Sequence, residues 1–413
     1  MLEELYNPIR NVYLVANEED KLLGNWRKVT FPALETLYIT ELTKITEIWD
    51  RKLLPSEFFR QLRKVTIWSC EKLVNVSSSN MPRQLPKLEQ LEVRDCRELK
   101  VIVLKNGGEE EEKAENNNNT NSFLQLTSLT LEDLQSLKSF FTSRSKTQSL
   151  FTSQVAFPVL EYLKIQKLPN IIEIWDKQLL IASKKESKSF CQLKDMMVSD
   201  CEKLVHVIQF NMLPRLQNLN IFRVDNCPKV EAIVSEKEKE EGTTNNNIIV
   251  LSQLTKLTLQ NLMSLKSFYN WSTRFEAQPL FNYQVAFPVL EYLEIQKLPT
   301  IIEIWDKQLL IASEKESKSF CQLKDMIVSD CEKLVHVIQF NMLPRLQNLN
   351  LFKVKNCPKM EAIVSEKAKE KGSTSNDIIA FSQLTTLDLY DLVSLKSFYN
   401  WPTRSEAQPM FNH

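Results

Sequence analysis

Glycine is scarce in this chain, with five among 413 residues, and histidine scarcer, with three. So little glycine leaves few places for backbone to wrap a phosphate, and neither G-x-x-x-x-G-K-[ST] nor G-x-G-x-x-G occurs. Excess charge is lacking too: 52 basic residues balance 52 acidic ones, so nothing draws the chain to nucleic acid or an anionic membrane surface. No apolar run approaches the roughly 18 residues of a membrane span, and MLEELYNPIR lacks the basic and then apolar pattern of a secretion signal. The expected location is therefore cytoplasmic, where the N-x-S/T matches at Asn75, Asn118 and Asn270 carry no sugar. The eight cysteines include no C-x-x-C pair, which argues against zinc. His206 and His336 are copies within LVHVI segments, with His413 at the terminus, and the acidic pairs recur at repeat positions as solvated faces do. No catalytic, cofactor-binding or metal-binding residue is expected, and the chain is read as a non-enzyme.

What the chain does contain is repetition. Phe190 to Val207, FCQLKDMMVSDCEKLVHV, returns as Phe320 to Val337 with one change, Met197 becoming Ile327. Leu193, Met196 and Val198 fall as L-x-x-L-x-L, with Cys201 three residues on, which is the leucine-rich-repeat spacing. A strand sends alternate side chains to opposite faces, so Met196 and Val198 point inward together. The chain then turns, and Cys201 folds under the strand as a small apolar residue with a weak thiol donor.

Around this stretch the sequence divides into residues 1–30, a capping segment or partial repeat, and 31–413, about twelve repeats in three modules, 31–156, 157–286 and 287–413. First repeats begin FPALETLYI at Phe31, FPVLEYLKI at Phe157 and FPVLEYLEI at Phe287, and carry Trp49, Trp175 and Trp305. Second repeats carry Cys70, Cys201 and Cys331, and third repeats Cys96, Cys227 and Cys357. Fourth repeats begin at Phe123, Leu251 and Phe381. One repeat cannot bury both its strand cluster and its return cluster, whereas stacking buries both at roughly 1.5–3 kcal/mol per inward side chain. The expected fold is an α/β solenoid, a leucine-rich-repeat horseshoe with a parallel β-sheet on the concave face and a mostly irregular or short helical convex side. The polar runs after Leu104, from Ser235 and from Ser365 read as mobile loops. The insert QLLIASKKESKS from Gln178, copied from Gln308, reads as a short outer helix. In the third repeat either Leu216, Leu219 and Ile221 or Leu219, Phe222 and Val224 face inward; the second register restores the V-x-x-C step of Val93 to Cys96. Cysteines on adjacent coils lie within disulfide reach, but a reducing cytosol favours buried structural thiols.

The second and third modules are two copies within one chain, and they differ at about 24 of about 127 aligned positions. About eight of twelve outward strand positions differ, or about five under the other register. A buried frame held constant under a varied surface is the pattern of a recognition face. Its candidate contacts are Tyr162, Lys164, Gln166, Arg223, Lys256, Thr258, Gln260, Tyr292, Glu294, Lys353, Asp388 and Tyr390, with aromatics such as Trp68 favoured at interfaces.

The blocks LPNIIEIW, VSDCEKLVHVI, NCPKVEAIV and LMSLKSFY resemble the leucine-rich-repeat region of plant coiled-coil nucleotide-binding leucine-rich-repeat disease-resistance proteins, over the chain from about Phe31 onward. The resemblance implies plant defence: a protein ligand, pathogen effector or host target, is sensed, and the nucleotide-binding domain of the parent receptor is a second partner. Coiled-coil and nucleotide-binding regions are not part of this sequence, so the nucleotide switch is not assigned to it. A fragment, a truncated product and a free-standing repeat protein all fit. The alternative is the substrate-recruiting arm of an F-box-type ubiquitin ligase, since cysteine-bearing leucine-rich repeats resemble those as well. No F-box-like helical segment precedes Phe31.

Overall fold

A computed structural model describes residues 9–15, 31–48, 59–78, 85–104, 121–142, 149–153, 155–176, 189–235, 249–269, 279–282, 284–306, 319–365 and 381–399. The polar runs, the inserts from Gln178 and Gln308, Trp49, Asn118, Asn270, His413 and most of residues 1–30 lie outside the described residues. The chain forms two compact units, Met1–Lys203 and Leu204–His413.

In the first unit the strands Asn11–Val15, Thr36–Thr40, Lys64–Trp68, Gln90–Arg94, Ser128–Glu132, Tyr162–Gln166 and Asp195–Ser199 lie side by side in chain order, every pair parallel. In the second unit Ile221–Asp225, Lys256–Gln260, Tyr292–Gln296, Asp325–Ser329, Leu351–Lys355 and Thr386–Tyr390 do the same. Sequential parallel neighbours, each reached by one return segment, make this an α/β leucine-rich-repeat solenoid. The alternation that defines the strands also builds the core. Leu163, Ile165, Leu257, Leu259, Leu293 and Ile295 are fully buried, and in the third repeats the inward pair is Phe222 with Val224 and Phe352 with Val354. That settles the register in favour of the V-x-x-C reading.

The corner after each strand has one construction throughout. The residue following the strand is left-handed without being glycine: Glu41, Ser69, Asp95, Asp133, Lys167 and Asp200 in the first unit, Asn226, Asn261, Lys297, Asp330, Asn356 and Asp391 in the second, with φ from 48 to 58°. Asp and Asn, which tolerate this region best, fill most of these positions. Their N–H groups donate forward, as from Asp133 to the Gln166 carbonyl and from Asn261 to the Gln296 carbonyl, both at 3.0 Å. One residue later comes a leucine in first and fourth repeats, as at Leu134 and Leu262, and a cysteine in second and third repeats. The Sγ atoms of Cys96, Cys201, Cys227 and Cys331 donate to the strand's last carbonyl, two residues back, at 3.3 Å, and those of Cys357 and Cys70 do so at 3.4 and 3.6 Å. A cysteine thus caps the strand end while filling an apolar space. All eight cysteines are free thiols. The thiol of Cys70 beside it, together with burial, pushes Cys96 far above its usual pKa, and Cys357 with burial does the same to Cys331.

The return side is richer in strand than expected. Asn75–Ser78, Val101–Leu104 and Ser139–Phe141 form a second parallel ladder, as do His206–Ile208, Ala232–Val234 and Ser267–Tyr269. The described helical pieces here, Phe210–Arg215 and Phe340–Arg345, are 3-10 turns. Aromatic side chains fill the space between the two ladders: Phe123, Phe140, Phe151, Phe157 and Phe190 in the first unit, Phe268, Phe281, Phe287 and Phe320 in the second. Trp305 anchors to this layer, its Nε1 donating to the Val337 carbonyl at 2.7 Å. His206 and His336 sit on the return side, each with Nδ1 near a backbone carbonyl, at 3.3 Å from Ala232 and 3.2 Å from Ala362. Asn75 is buried and donates to Glu47 Oε1 at 3.1 Å, so it is no sugar acceptor in the folded chain.

Candidate functional site

The outward strand positions form three rows on each unit, because parallel pairing keeps register. In the first unit the middle row runs Tyr13, Tyr38, Thr66, Glu92, Thr130, Lys164 and Met197. In the second it runs Arg223, Thr258, Glu294, Ile327, Lys353 and Asp388. Adjacent members are about 4.8 Å apart, within reach of each other's side chains.

Of the candidate contacts, Tyr162, Lys164 and Gln166 lie on one strand of the first unit. Lys164 Nζ reaches Glu132 Oε2 at 2.8 Å, with only 18% and 24% of the two side chains exposed. Glu132 also faces Arg94 Nε at 3.6 Å, and Arg94 pairs in turn with Glu92. Gln166 Nε2 donates to Asp200 Oδ2 at 3.1 Å. Burial, then the charge of Asp195, raises the Tyr162 phenol above its ordinary pKa.

The other nine belong to the second unit and fall in two groups. Arg223 Nη2 bridges Asp225 Oδ2 at 3.2 Å and Gln260 Oε1 at 2.9 Å. Gln260 Nε2 passes the contact on to Glu294 Oε1 at 2.8 Å and Gln296 Oε1 at 3.2 Å, and Tyr292 OH donates to Glu294 Oε2 at 2.9 Å. Lys256 Nζ stands 4.3 Å above the Tyr292 ring, a cation–π contact. Burial, the bond to Glu294 and that carboxylate's charge push Tyr292 up to about 12. Thr258 holds its place in this group but is only 3% exposed, covered by the longer side chains around it. Lys353, Asp388 and Tyr390 make the second group: Lys353 Nζ is 3.9 Å from Asp388 Oδ2, and Lys355 Nζ lies 5.4 Å over the Tyr390 ring. The strand Asp325–Ser329 separates the two groups.

Sequence reasoning passed over Glu132, and it saw Asp225 and Lys355 as a varied outward pair without naming them as contacts; all three occupy the same third outward strand position as Gln166 and Gln260. It also passed over Tyr13 and Tyr38, whose rings stack at 4.6 Å with 2° between planes. Alternation within NVYLV was the available signal. Chemically the face offers paired charges, amides and aromatic rings held in fixed positions. Among the described residues no group of three or more His, Cys, Asp or Glu could hold a metal ion, and no helix is long and apolar enough to cross a membrane.

Known proteins resemble the chain along its length. The leucine-rich repeats of the plant disease resistance protein RPS2-like type match residues 33–154, 159–287 and 289–408. A probable disease resistance protein of Arabidopsis thaliana is 26% identical over 200 residues, which make up 48% of this chain and 19% of that protein. The match thus spans about a fifth of that relative's length. Among solved structures, a leucine-rich-repeat protein of Leptospira interrogans is 16% identical with a TM-score of 0.27, covering 80% of each chain. A leucine-rich-repeat protein of Bacteroides ovatus is 9% identical with a TM-score of 0.20, covering 96% of this chain and 88% of the other. With its repeats matched in three consecutive spans that take in most of its length, the chain belongs to the RPS2-like leucine-rich-repeat family of plant disease resistance proteins.

Proposed function

We propose that the outward strand face binds a protein ligand, a pathogen effector or a host target, in plant defence, and that the chain works in the cytoplasm by recognition rather than catalysis. A nucleotide-binding domain of a parent receptor is the second partner in this reading. The observation that carries it is internal to the chain. Between the copies 157–283 and 287–413, 24 of 127 positions differ, and eight of these fall among the twelve outward strand positions. Those eight include Lys164 against Glu294, Asp225 against Lys355, Thr258 against Asp388 and Gln260 against Tyr390, each changing charge or ring content. The inward strand residues beside them are identical in both copies. Variation that takes eight of the twelve outward strand positions while the inward strand residues stay constant is what selection for different contacts produces. The paired side chains support the same reading, since a preorganised surface loses less entropy on binding.

The test is capture from pathogen-challenged plant extract with the wild-type chain, followed by affinity measurement with the recovered partner. Lys256→Glu, Gln260→Ala and Tyr390→Ala should each weaken binding at least tenfold while the Tm stays within a few degrees, as surface substitutions usually allow. Unchanged affinity in all three variants means the ligand sits elsewhere. Recovery of a ubiquitin-ligase scaffold protein counts against the defence reading.

A further inference from the structure

One corner of the first unit is tied together by side chains, and its copy in the second unit is not. Where the first module's fourth repeat turns, Gln135 Nε2 donates to Asp133 Oδ1 at 2.6 Å, and Lys167 Nζ reaches Asp133 Oδ2 at 3.4 Å. Asn170 Nδ2 donates to the Gln135 carbonyl at 2.7 Å, and its Oδ1 accepts from Lys203 Nζ at 2.8 Å. One module on, Asp133, Gln135 and Asn170 have become Asn261, Met263 and Thr300, while Lys167 is kept as Lys297. Asn261 turns its amide to the preceding coil, donating to Asp225 Oδ1 at 3.1 Å, and Thr300 donates to the Leu265 carbonyl. Met263 is left 53% exposed, and Lys297 makes no hydrogen bond or ion pair among the described residues.

A groove of about 580 Å³ runs along this second-unit corner. Its lining follows the coils in chain order: Met263, then Lys297 and Pro299, then Glu332, then Pro358 and Lys359. Asp330, also in its wall, is already engaged, accepting from Asn356 Nδ2 at 2.8 Å and from Gln296 Nε2 at 3.3 Å. Glu332 and Lys359, like Lys297, make no hydrogen bond or ion pair among the described residues. The groove therefore presents an apolar end, a cation, an anion and a second cation, each on its own coil. A ligand of complementary charge meets them without breaking a pair that the chain already makes. With coils about 4.8 Å apart and an extended chain rising about 3.3 Å per residue, roughly five residues of such a chain cross the groove.

We propose that this corner groove binds an extended segment of a partner protein whose side chains run apolar, acidic and basic in that order. The apolar side chain lies on Met263 and Pro299, the acid meets Lys297 and the base meets Glu332. The far end, at Lys359, favours a second acid. The site lies beyond the strand ends rather than on the outward strand face, and it stands whether or not that face binds the ligand proposed above.

Fluorescence anisotropy on the full chain tests it, with labelled octapeptides that place one Leu, one Glu and one Lys in every order among Ser and Gly. Peptides with Glu between Leu and Lys should bind about tenfold tighter than those with Lys between Leu and Glu. Asn261→Asp with Met263→Gln returns the residues that tie the first unit's corner, and Lys297→Met removes the leading charge. Each variant should weaken the preferred peptide about tenfold with unchanged circular dichroism. Lys256→Glu, at the other end of its strand, should leave that peptide's affinity unaltered. Equal binding of all orders, binding that survives both corner variants, or no binding of any peptide at about 1 mM overturns the proposal. Loss of binding in Lys256→Glu would put the peptide on the strand face, which also overturns it.

Discussion

Leu257 and Leu387 are the same residue of the same repeat, one module apart, and trimming both to alanine isolates the effect of a neighbouring coil. Leu257 is fully buried between Phe222 and Leu293, its register partners. Leu257→Ala loses the transfer energy of the missing carbons and leaves a cavity that two flanking coils hold open, a cost of about 2–5 kcal/mol. Leu387 keeps 39% of its surface in solvent and has Phe352 as its described partner on one side. Water can enter the space left there, so only the buried part of the transfer term is lost, about 1 kcal/mol. A repeat array need not unfold in one step, so the assay is native-state hydrogen exchange read on peptides covering 256–260 and 386–390. Losses of equal size at the two sites, or a larger one at Leu387, would refute the reasoning that stability at an inward position is set by the coil that follows it.

Other expectations can be checked separately. Ultraviolet titration should show Tyr292 ionising near 12, with Glu294→Gln moving it toward the ordinary 10.0. Because the folded value is the higher one, the stability it contributes is complete below pH 10 and disappears as pH rises through the folded value. Asp330 works in the other direction: burial acts to raise it, but hydrogen bonds from Asn356, Gln296 and Ser329 and the charge of Lys297 outweigh that and hold it low. Its contribution is present above 3.8 and is lost as pH falls through the depressed value, and Asn356→Ala should shift the carboxyl signal in an NMR titration to higher pH. Thiol titration should find eight reactive groups in denaturant without reductant. In the native chain Cys191 and Cys321, which are partly exposed, should react before the buried six. A count below eight in denaturant would reveal a disulfide.

The strands were legible because their inward residues are apolar at a fixed spacing and little else competes. Leu193, Met196 and Val198 declared both the strand Asp195–Ser199 and its orientation, and the V-x-x-C step placed Phe222 and Val224 inside. The corner was only half legible: the cysteine stood out, but the left-handed residue before it did not, since Asp, Asn, Lys, Ser and Glu share no pattern beyond polarity. The return side was less legible still. Short runs such as AIV at Ala232–Val234 are buried all along their length and give no alternation to read. On the outward face, position followed from the strands, but partners did not. That Arg223 would reach across to Gln260, or that Thr258 would be covered, depends on side-chain length and the neighbouring coil's residues together.

The seam between a fourth repeat and the next first repeat occurs twice with the same apolar pairs, Leu129 with Leu163 and Leu131 with Ile165, then Leu257 with Leu293 and Leu259 with Ile295. A cut made there and rejoined to the other such seam restores both inward apolar pairs without a compensating change. Misaligned recombination between modules that start 130 residues apart, at Phe157 and Phe287, would therefore yield longer or shorter arrays that fold at once. A gene of this kind can change the extent of its surface in a single event and then alter that surface one codon at a time.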